Sequence, residues 1–201
     1  MSRASTKGIF CLEGDWDRDL RTTITVLPFL ELLAQVNRPP IPSIRRDIGT
    51  ATEMEYYLKK WCQKRYARFP ILYLGFHGDP GVLYLGGDRR ATVDLDWLEE
   101  SLAGKCKGRL IHFGSCGTLA THGRRLNRFL RVTGAVGVCG YKVDVDWLLA
   151  AAFEIILLGV IQQFSLTRSG LAAVDRRVRR EAGGLTKDLA FRMVVAPRKR
   201  N

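Results

Sequence analysis

The sequence predicts an α/β fold, a three-layer α-β-α sandwich built around a mostly parallel sheet. Short apolar runs alternate with longer segments of helical periodicity, and the links between them are short. Strands that alternate with helices in this way lie parallel and are joined by right-handed crossovers. The 201 residues are 46% hydrophobic and 26% charged, which is enough for one substantial core. We therefore expect a single domain over residues 1–201, with a core at about 8–164 and a basic helical region at about 165–201.

Continuous apolar runs mark the strands, and apolar residues at helical spacing mark the helices. The predicted strands are residues 8–12, 43–48, 71–76, 82–85 with a return at 91–93, 109–114 and 135–140. The predicted helices are residues 28–36, 52–69, 95–102, 126–132 and 147–164. Pro28 is tolerated in a first helical turn, and Thr52 with Glu55 fits a capping box. Asp94 is expected to cap the third helix.

The charge and the cysteines limit the class of protein. Five cysteines occur without a CxxC pair or a secretory signal, so we expect free thiols in a cytoplasmic protein. The net charge of +12 allows non-specific binding to polyanions. It is concentrated in arginine and lysine clusters in which Phe129 is the one aromatic residue: residues 124–131, 176–180 and 198–200. Glu154 interrupts the apolar helix 147–164, which therefore predicts a buried helix and no membrane partner.

Two residues with catalytic chemistry follow predicted strands. Ligand sites in open α/β sheets lie at the carboxyl ends of the strands. His77 follows one core strand and Cys116 follows the next core strand along the chain. Neighbouring strands are about 4.8 Å apart, which would bring the imidazole within reach of the thiol. A base beside a thiol is the arrangement that nucleophilic attack on a carbonyl carbon requires.

The other two histidines are poorer candidates for the base. His112 lies four residues before Cys116, roughly 13 Å along an extended strand, and His122 lies in a loop six residues after it. The backbone N–H groups of Gly78 and Cys116 are candidates for an oxyanion hole. The alternative interpretation is that Cys116 is a small buried apolar residue and His77 an ordinary polar residue at the end of a strand.

The two motifs resemble those of the caspase-like cysteine peptidases, the clan CD group of caspases, metacaspases, separase, gingipains and bacterial CHAT-type proteases. Residues 73–78 read YLGFHG and residues 111–116 read IHFGSC. The resemblance is to a small bacterial-type member, and in element order it covers roughly residues 9–161. It implies peptide-bond hydrolysis through an acyl-enzyme, without a metal or cofactor. Cys116 would be the nucleophile and His77 the general base and acid, with Gly78 and Cys116 supplying the oxyanion hole.

The substrate is less defined by these motifs. Gly114 and Ser115 precede the nucleophile, without the acidic residue that metacaspases use for basic substrates. Asp144 and Asp146 could line a pocket for a basic side chain, whereas Arg18 could favour an acidic one. The expected partners are a protein or peptide substrate and a regulatory protein.

Two other functions stay open at this point. One is a catalytically inactive caspase-like scaffold that binds a protein partner, with residues 124–131 as a candidate contact surface. The other is a basic protein associated with nucleic acid, for which binding would depend steeply on salt.

Overall fold

The computed structural model describes residues 6–19, 21–87 and 89–197. The strands are β1 (Ile9–Glu13), β2 (Ser43–Asp47), β3 (Ile71–Gly75), β4 (His77–Asp79), β5 (Val82–Tyr84), β6 (Thr92–Asp94), β7 (Leu110–Gly114), β8 (Gly137–Gly140) and β9 (Arg192–Val195). The helices are α1 (Leu27–Val36), α2 (Ala51–Trp61), α3 (Leu95–Leu102), α4 (Gly123–Thr133), α5 (Trp147–Gln162), α6 (Arg168–Glu181) and α7 (Gly183–Asp188).

The main sheet has six strands in the order β2-β1-β3-β7-β8-β9. The first five strands are parallel, and β9 pairs antiparallel with β8. A second, antiparallel sheet has the order β4-β5-β6 and lies in the connection between β3 and α3. The predicted α/β class with a mostly parallel sheet is confirmed.

Helices cover both faces of the main sheet. The side chains of Ile9 and Cys11 in β1 belong to one core cluster, with buried residues of α1, α5 and α6. The side chains of Phe10 and Leu12 belong to a second cluster, with buried residues of α2, α3 and α4. Successive residues of a strand point to opposite faces, so a strand covered on both sides is a continuous apolar run. This accounts for the five consecutive buried residues of β1.

The predicted start and end of the second helix were wrong. The N-cap of α2 is Thr50, whose side chain accepts a hydrogen bond from the backbone N–H of Glu53. The Glu53 carboxylate in turn accepts a hydrogen bond from the Thr50 N–H. Thr52 and Glu55 have the same spacing as Thr50 and Glu53, so the sequence pattern alone did not distinguish between the two possible capping boxes. The helix ends at Trp61, and a 3₁₀ turn over Lys64–Tyr66 follows it.

The structure also differs from the prediction at the C-terminal region. Residues 165–201 were predicted to be helical, but β9 completes one edge of the main sheet. Side chains of α6, including Leu171 and Val174, lie in the same core cluster as the strands. The basic residues 198–200 and the predicted turn residue Asp88 lie outside the described residues.

The apolar helix α5 packs against the sheet. It has 16 residues, and Glu154 near its middle is 2% exposed. In the described part of the chain, no helix has the length and hydropathy needed to span a membrane.

Asp94 is the N-cap of α3, as predicted, and its side chain accepts a hydrogen bond from the Trp97 N–H.

Candidate functional site

The strands that precede His77 and Cys116 are neighbours in the sheet. β3 and β7 pair in parallel, with Gly75 opposite Gly114 at their ends. His77 and Cys116 each lie two positions beyond the last residue of the preceding strand, at the same edge of the sheet. Both side chains are partly buried and line one cavity of about 240 Å³. The thiol and the imidazole therefore face a shared space.

The cavity is formed where the loops after four strands of the main sheet converge. Trp16 follows β1, His77 follows β3, Cys116 follows β7, and Tyr141 and Val145 follow β8. Side chains of the β1–α1 connection, α1 and α5 close the walls. Ten residues give the cavity its largely apolar surface: Trp16, Ile24, Val26, Phe29, Tyr73, Tyr141, Val145, Trp147, Ala150 and Ala151.

A backbone carbonyl holds the His77 ring. The imidazole Nε2 lies 2.8 Å from the Trp16 carbonyl oxygen. A carbonyl oxygen accepts hydrogen bonds and donates none, so Nε2 must carry the proton, and the lone pair of neutral His77 is on Nδ1. The indole of Trp16 packs edge-to-face against the same imidazole, with ring centroids 5.4 Å apart. A base oriented by a third group is the general arrangement of a nucleophile–base pair.

Glu13 anchors the loop that carries Trp16. Its side chain is buried at the end of β1 and accepts from Trp16 Nε1 at 2.6 Å, Thr25 Oγ1 at 2.8 Å and the Val26 N–H at 2.7 Å. Arg45 of the neighbouring strand β2 pairs with the same carboxylate. A buried carboxylate with several donors is costly to disturb, so the position of the Trp16 carbonyl is well determined.

The Cys116 thiol is protonated at rest. Burial raises the pKa of Cys116 above its usual value, and the Val145 N–H, 3.4 Å from Sγ, opposes that shift only in part. The next residue, Gly117, has a φ of +59°, a conformation that favours glycine. Its N–H donates to the Val143 carbonyl at 3.0 Å, which ties the Cys116 loop to the loop after β8.

Gly78 brings the histidine segment against the Cys116 loop. A Cβ at this position would lie 2.8 Å from the Cys116 carbonyl oxygen and closer still to Thr118 Oγ1. Glycine is therefore needed for a close approach of two backbone segments. The contact shows that Gly78 and Cys116, the two residues predicted to supply the oxyanion hole, are neighbours in space.

A buried polar network lies at the base of the cavity. Oε1 of Glu154 accepts from His112 Nε2 at 3.0 Å and from Tyr141 Oη at 2.9 Å, and Oε2 accepts from Tyr73 Oη at 2.5 Å. His112 Nδ1 lies 3.3 Å from Cys139 Sγ. Burial alone would lower the pKa of His112, but the Cys139 sulfur and the Glu154 carboxylate together raise it to about 10. The imidazole of His112 is fully buried and occupied by this network, so it is unsuited to act on Cys116.

The three residues predicted to contact substrate are not among those that line the cavity. Arg18 and Asp144 are exposed, and neither is among the described residues that line the cavity. The negative charge of Asp144 reaches Cys116, whose pKa it helps to raise. Asp146 is also absent from that lining, and its carboxylate caps α5 by accepting from the Leu149 N–H at 2.9 Å. The cap alone explains why an aspartate occupies this position.

Much of the predicted basic surface is engaged in ion pairs. Arg125 and Arg128 of α4 pair with Asp96 and Glu99 of α3. On α6, Arg177 pairs with Glu181 and Arg179 with Asp175. These pairs reduce the positive charge that residues 124–131 and 176–180 offer to a polyanion.

Over the described ranges, no cluster of three His, Cys, Asp or Glu side chains is arranged to hold a metal ion.

Sequence reasoning missed the supporting residues of the site. Trp16 follows β1 at the same edge of the sheet, but it contributes a backbone carbonyl, which any residue type provides. Glu154 is a charged residue within an apolar helix, and a charge at such a position indicates a buried polar partner. Tyr73 and Tyr141 place hydroxyl groups within or beside apolar strands, which also indicates buried polar partners.

The comparison with known families gives one match. A profile for a family of unknown function, DUF6642, matches residues 6–194. No curated protein matches the chain. Because the match covers nearly the whole sequence, the chain belongs to the DUF6642 family.

Proposed function

We propose that this protein is a cysteine endopeptidase of the caspase-like type, with Cys116 as the nucleophile and His77 as the general base and acid. The observation that carries the proposal is the shared cavity: a thiol and an imidazole from the ends of adjacent parallel strands line one space. The His-Gly and Ser-Cys steps after those strands, and the strand order β2-β1-β3-β7-β8, support a caspase-like arrangement.

The chemistry begins from a neutral thiol. The unprotonated Nδ1 of His77 takes the proton from Cys116 Sγ, and the thiolate attacks the substrate carbonyl carbon. The backbone N–H groups of Gly78 and Cys116 stabilise the oxyanion that forms. His77 then gives its proton to the leaving amine, which releases the first product and leaves the acyl group on Sγ. Water, activated by His77, hydrolyses that thioester and restores the enzyme.

The raised pKa of Cys116 bears on how the thiol is activated. Burial raises the pKa of Cys116 and so disfavours its thiolate form, which makes removal of the proton by a neighbouring base necessary for attack at neutral pH. Alkylation of Cys116 by a small reagent should therefore become faster up to a pH above the ordinary thiol pKa of about 8.5. Peptide-based reagents, which place a carbonyl beside Sγ, should react faster than small ones at pH 7.

The test is covalent labelling with peptidyl acyloxymethyl ketones, followed by mapping of the modified cysteine. A second thiol must first be removed, because a hydrogen bond from Cys106 lowers the pKa of Cys62 to about 7. In a Cys62→Ser background, Cys116→Ala should abolish labelling, and His77→Ala should slow it by about 100-fold or more. Circular dichroism and the unfolding midpoint check that both variants fold. Equal labelling rates with and without His77 would refute the dyad.

The inactive scaffold is a second candidate, favoured by one observation. Large apolar side chains at the start of α5 are exposed beside the cavity: Trp147 is 39% exposed, Leu148 73% and Leu149 42%. Such a patch suits a protein partner. If peptide reagents modify Cys116 no faster than small alkylating reagents do at pH 7, the scaffold function replaces the peptidase.

A cytoplasmic location remains part of the proposal. All five cysteines are free thiols, and three of them (Cys11, Cys106 and Cys139) are buried. Free thiols are the usual state of cysteine in reducing compartments.

A further inference from the structure

We propose that the cavity beside Cys116 is a specificity pocket that receives a large uncharged side chain, aromatic or aliphatic, from the residue whose carbonyl Cys116 attacks. The inference rests on the proposed function, because it assigns the substrate class of that same site. The cavity is in the right place for this role: Cys116 and His77 form part of its wall, and the remainder extends away from them.

The cavity is large enough to hold an aromatic side chain. Its volume is about 240 Å³, whereas an apolar protein cavity of about 150 Å³ is sufficient to bind benzene. Ala150 and Ala151 of α5 contribute only methyl groups to the wall and so leave the space open. Phe29 and Trp16 supply aromatic surface on other sides, and Trp147 packs against Trp16 with ring centroids 4.7 Å apart.

The charge of the cavity excludes ionised side chains. Glu154 is the one carboxylate among the described lining residues, and three of its lone-pair positions are filled by His112, Tyr73 and Tyr141. The carboxylate already has a charge partner in the buried imidazole of His112, 3.0 Å away. A lysine or aspartate side chain would lose its hydration here without gaining a counter-ion.

The residues that sequence reasoning assigned to charged substrates do not change this conclusion. Arg18, Asp144 and Asp146 are exposed and lie outside the described lining of the cavity. Charges in water beside a pocket are screened and select weakly between substrates. The apolar wall therefore determines which side chain binds.

The labelling test uses peptidyl acyloxymethyl ketones that differ only in the side chain next to the reactive ketone: Gly, Leu, Phe, Lys or Asp. In the Cys62→Ser background, the Phe and Leu reagents should modify Cys116 at least about 10-fold faster than the Lys and Asp reagents. Ala151→Phe should fill the cavity and reduce the Phe reagent rate by about 10-fold or more, while the Gly reagent still reacts. Ala152→Phe is the matched control, because Ala152 is exposed on the same helix and lies outside the described lining.

Two results would overturn the pocket while leaving the peptidase intact. One is faster modification of Cys116 by the Lys or Asp reagent. The other is an equal effect of Ala151→Phe and Ala152→Phe on the Phe reagent. Failure of every reagent to modify Cys116 would instead count against the proposed function.

A binding measurement tests the pocket without catalysis. In Cys116→Ala, titration with N-acetyl-phenylalaninamide should shift the indole N–H NMR signals of Trp16 and Trp147, and leave those of Trp61 and Trp97 in place. Trp16 and Trp147 line the cavity, whereas Trp61 and Trp97 belong to the core on the other face of the sheet. N-acetyl-lysinamide should have no such effect at the same concentration. Equal shifts with both amides, or none with the phenylalanine amide, would refute the apolar pocket.

Discussion

Replacing the buried carboxylate under the cavity, Glu154→Gln, should destabilise the protein strongly and in a pH-dependent manner. Glu154 is 2% exposed and accepts hydrogen bonds from three side chains. Removing one member of a buried charge pair typically costs about 3–5 kcal/mol, and glutamine retains one acceptor oxygen. We therefore expect a loss of roughly 2–4 kcal/mol in the free energy of unfolding at pH 7.

The pH dependence follows from the imidazole of His112. Its pKa is raised from 6.5 to about 10 in the folded protein, because the Cys139 sulfur and the Glu154 carboxylate outweigh the effect of burial. A raised pKa stabilises the folded state fully below pH 6.5, and this stabilisation is lost as the pH rises to about 10. Its size is on the order of 4 kcal/mol at pH 7, shared between Cys139 and Glu154. The penalty of Glu154→Gln should therefore shrink between pH 7 and pH 10.

Urea denaturation followed by circular dichroism at several pH values from 6 to 10 measures both effects. Glu55→Gln is the control, since Glu55 is 45% exposed and forms a surface ion pair with Lys59 on α2. It should change the free energy of unfolding by less than about 0.5 kcal/mol. A penalty for Glu154→Gln below about 1 kcal/mol, or one that grows from pH 7 to pH 10, would refute the reasoning.

Three further perturbations test other parts of the structure. Gly78→Ala should lower the free energy of unfolding, measured by urea denaturation, by about 1–3 kcal/mol, because the new Cβ meets the Cys116 carbonyl oxygen. Gly183→Ala in α7 is the control: open space surrounds this position, so the change should be neutral or stabilising. Asp146→Ala should lose about 1 kcal/mol as the cap of α5, and Asp144→Ala should lose little, because Asp144 is exposed. Iodoacetamide at pH 7 should modify Cys62 before the other cysteines in peptide mass spectrometry, as its pKa is lowered to about 7; first modification elsewhere contradicts the assignment.

The main sheet was predictable because its inner strands are buried on both faces. Residues 71–76 are a continuous apolar run, and residues 110–114 differ from one only at His112, which is the pattern of a strand covered on both faces. β9 was missed because its four residues are only partly buried and begin with Arg192, so they lack this signature. An antiparallel edge strand is specified by its partner β8 more than by its own sequence.

The candidate site was predictable only in part. His77 and Cys116 follow from the rule that sites lie at the ends of parallel strands. The hydrogen bond from His77 to Trp16 joins residues 61 positions apart through a backbone carbonyl, which any residue type provides. The positions of Arg18 and Asp146 relative to the cavity depend on the path of loops, and local sequence does not determine that path.

The carboxylate of Glu13 connects the position of the His77 ring to the strand at the edge of the sheet. It holds the Trp16 loop and pairs with Arg45, which in turn pairs with the exposed Asp47. A chain of ionic and hydrogen-bonded contacts thus runs from the surface of the outermost strand to the imidazole of His77. A molecule that bound this edge and drew Arg45 away would release the Trp16 loop and leave the imidazole without its orientation. Under the proposed mechanism, such binding would slow the reaction at a distance from the thiol and without blocking the pocket.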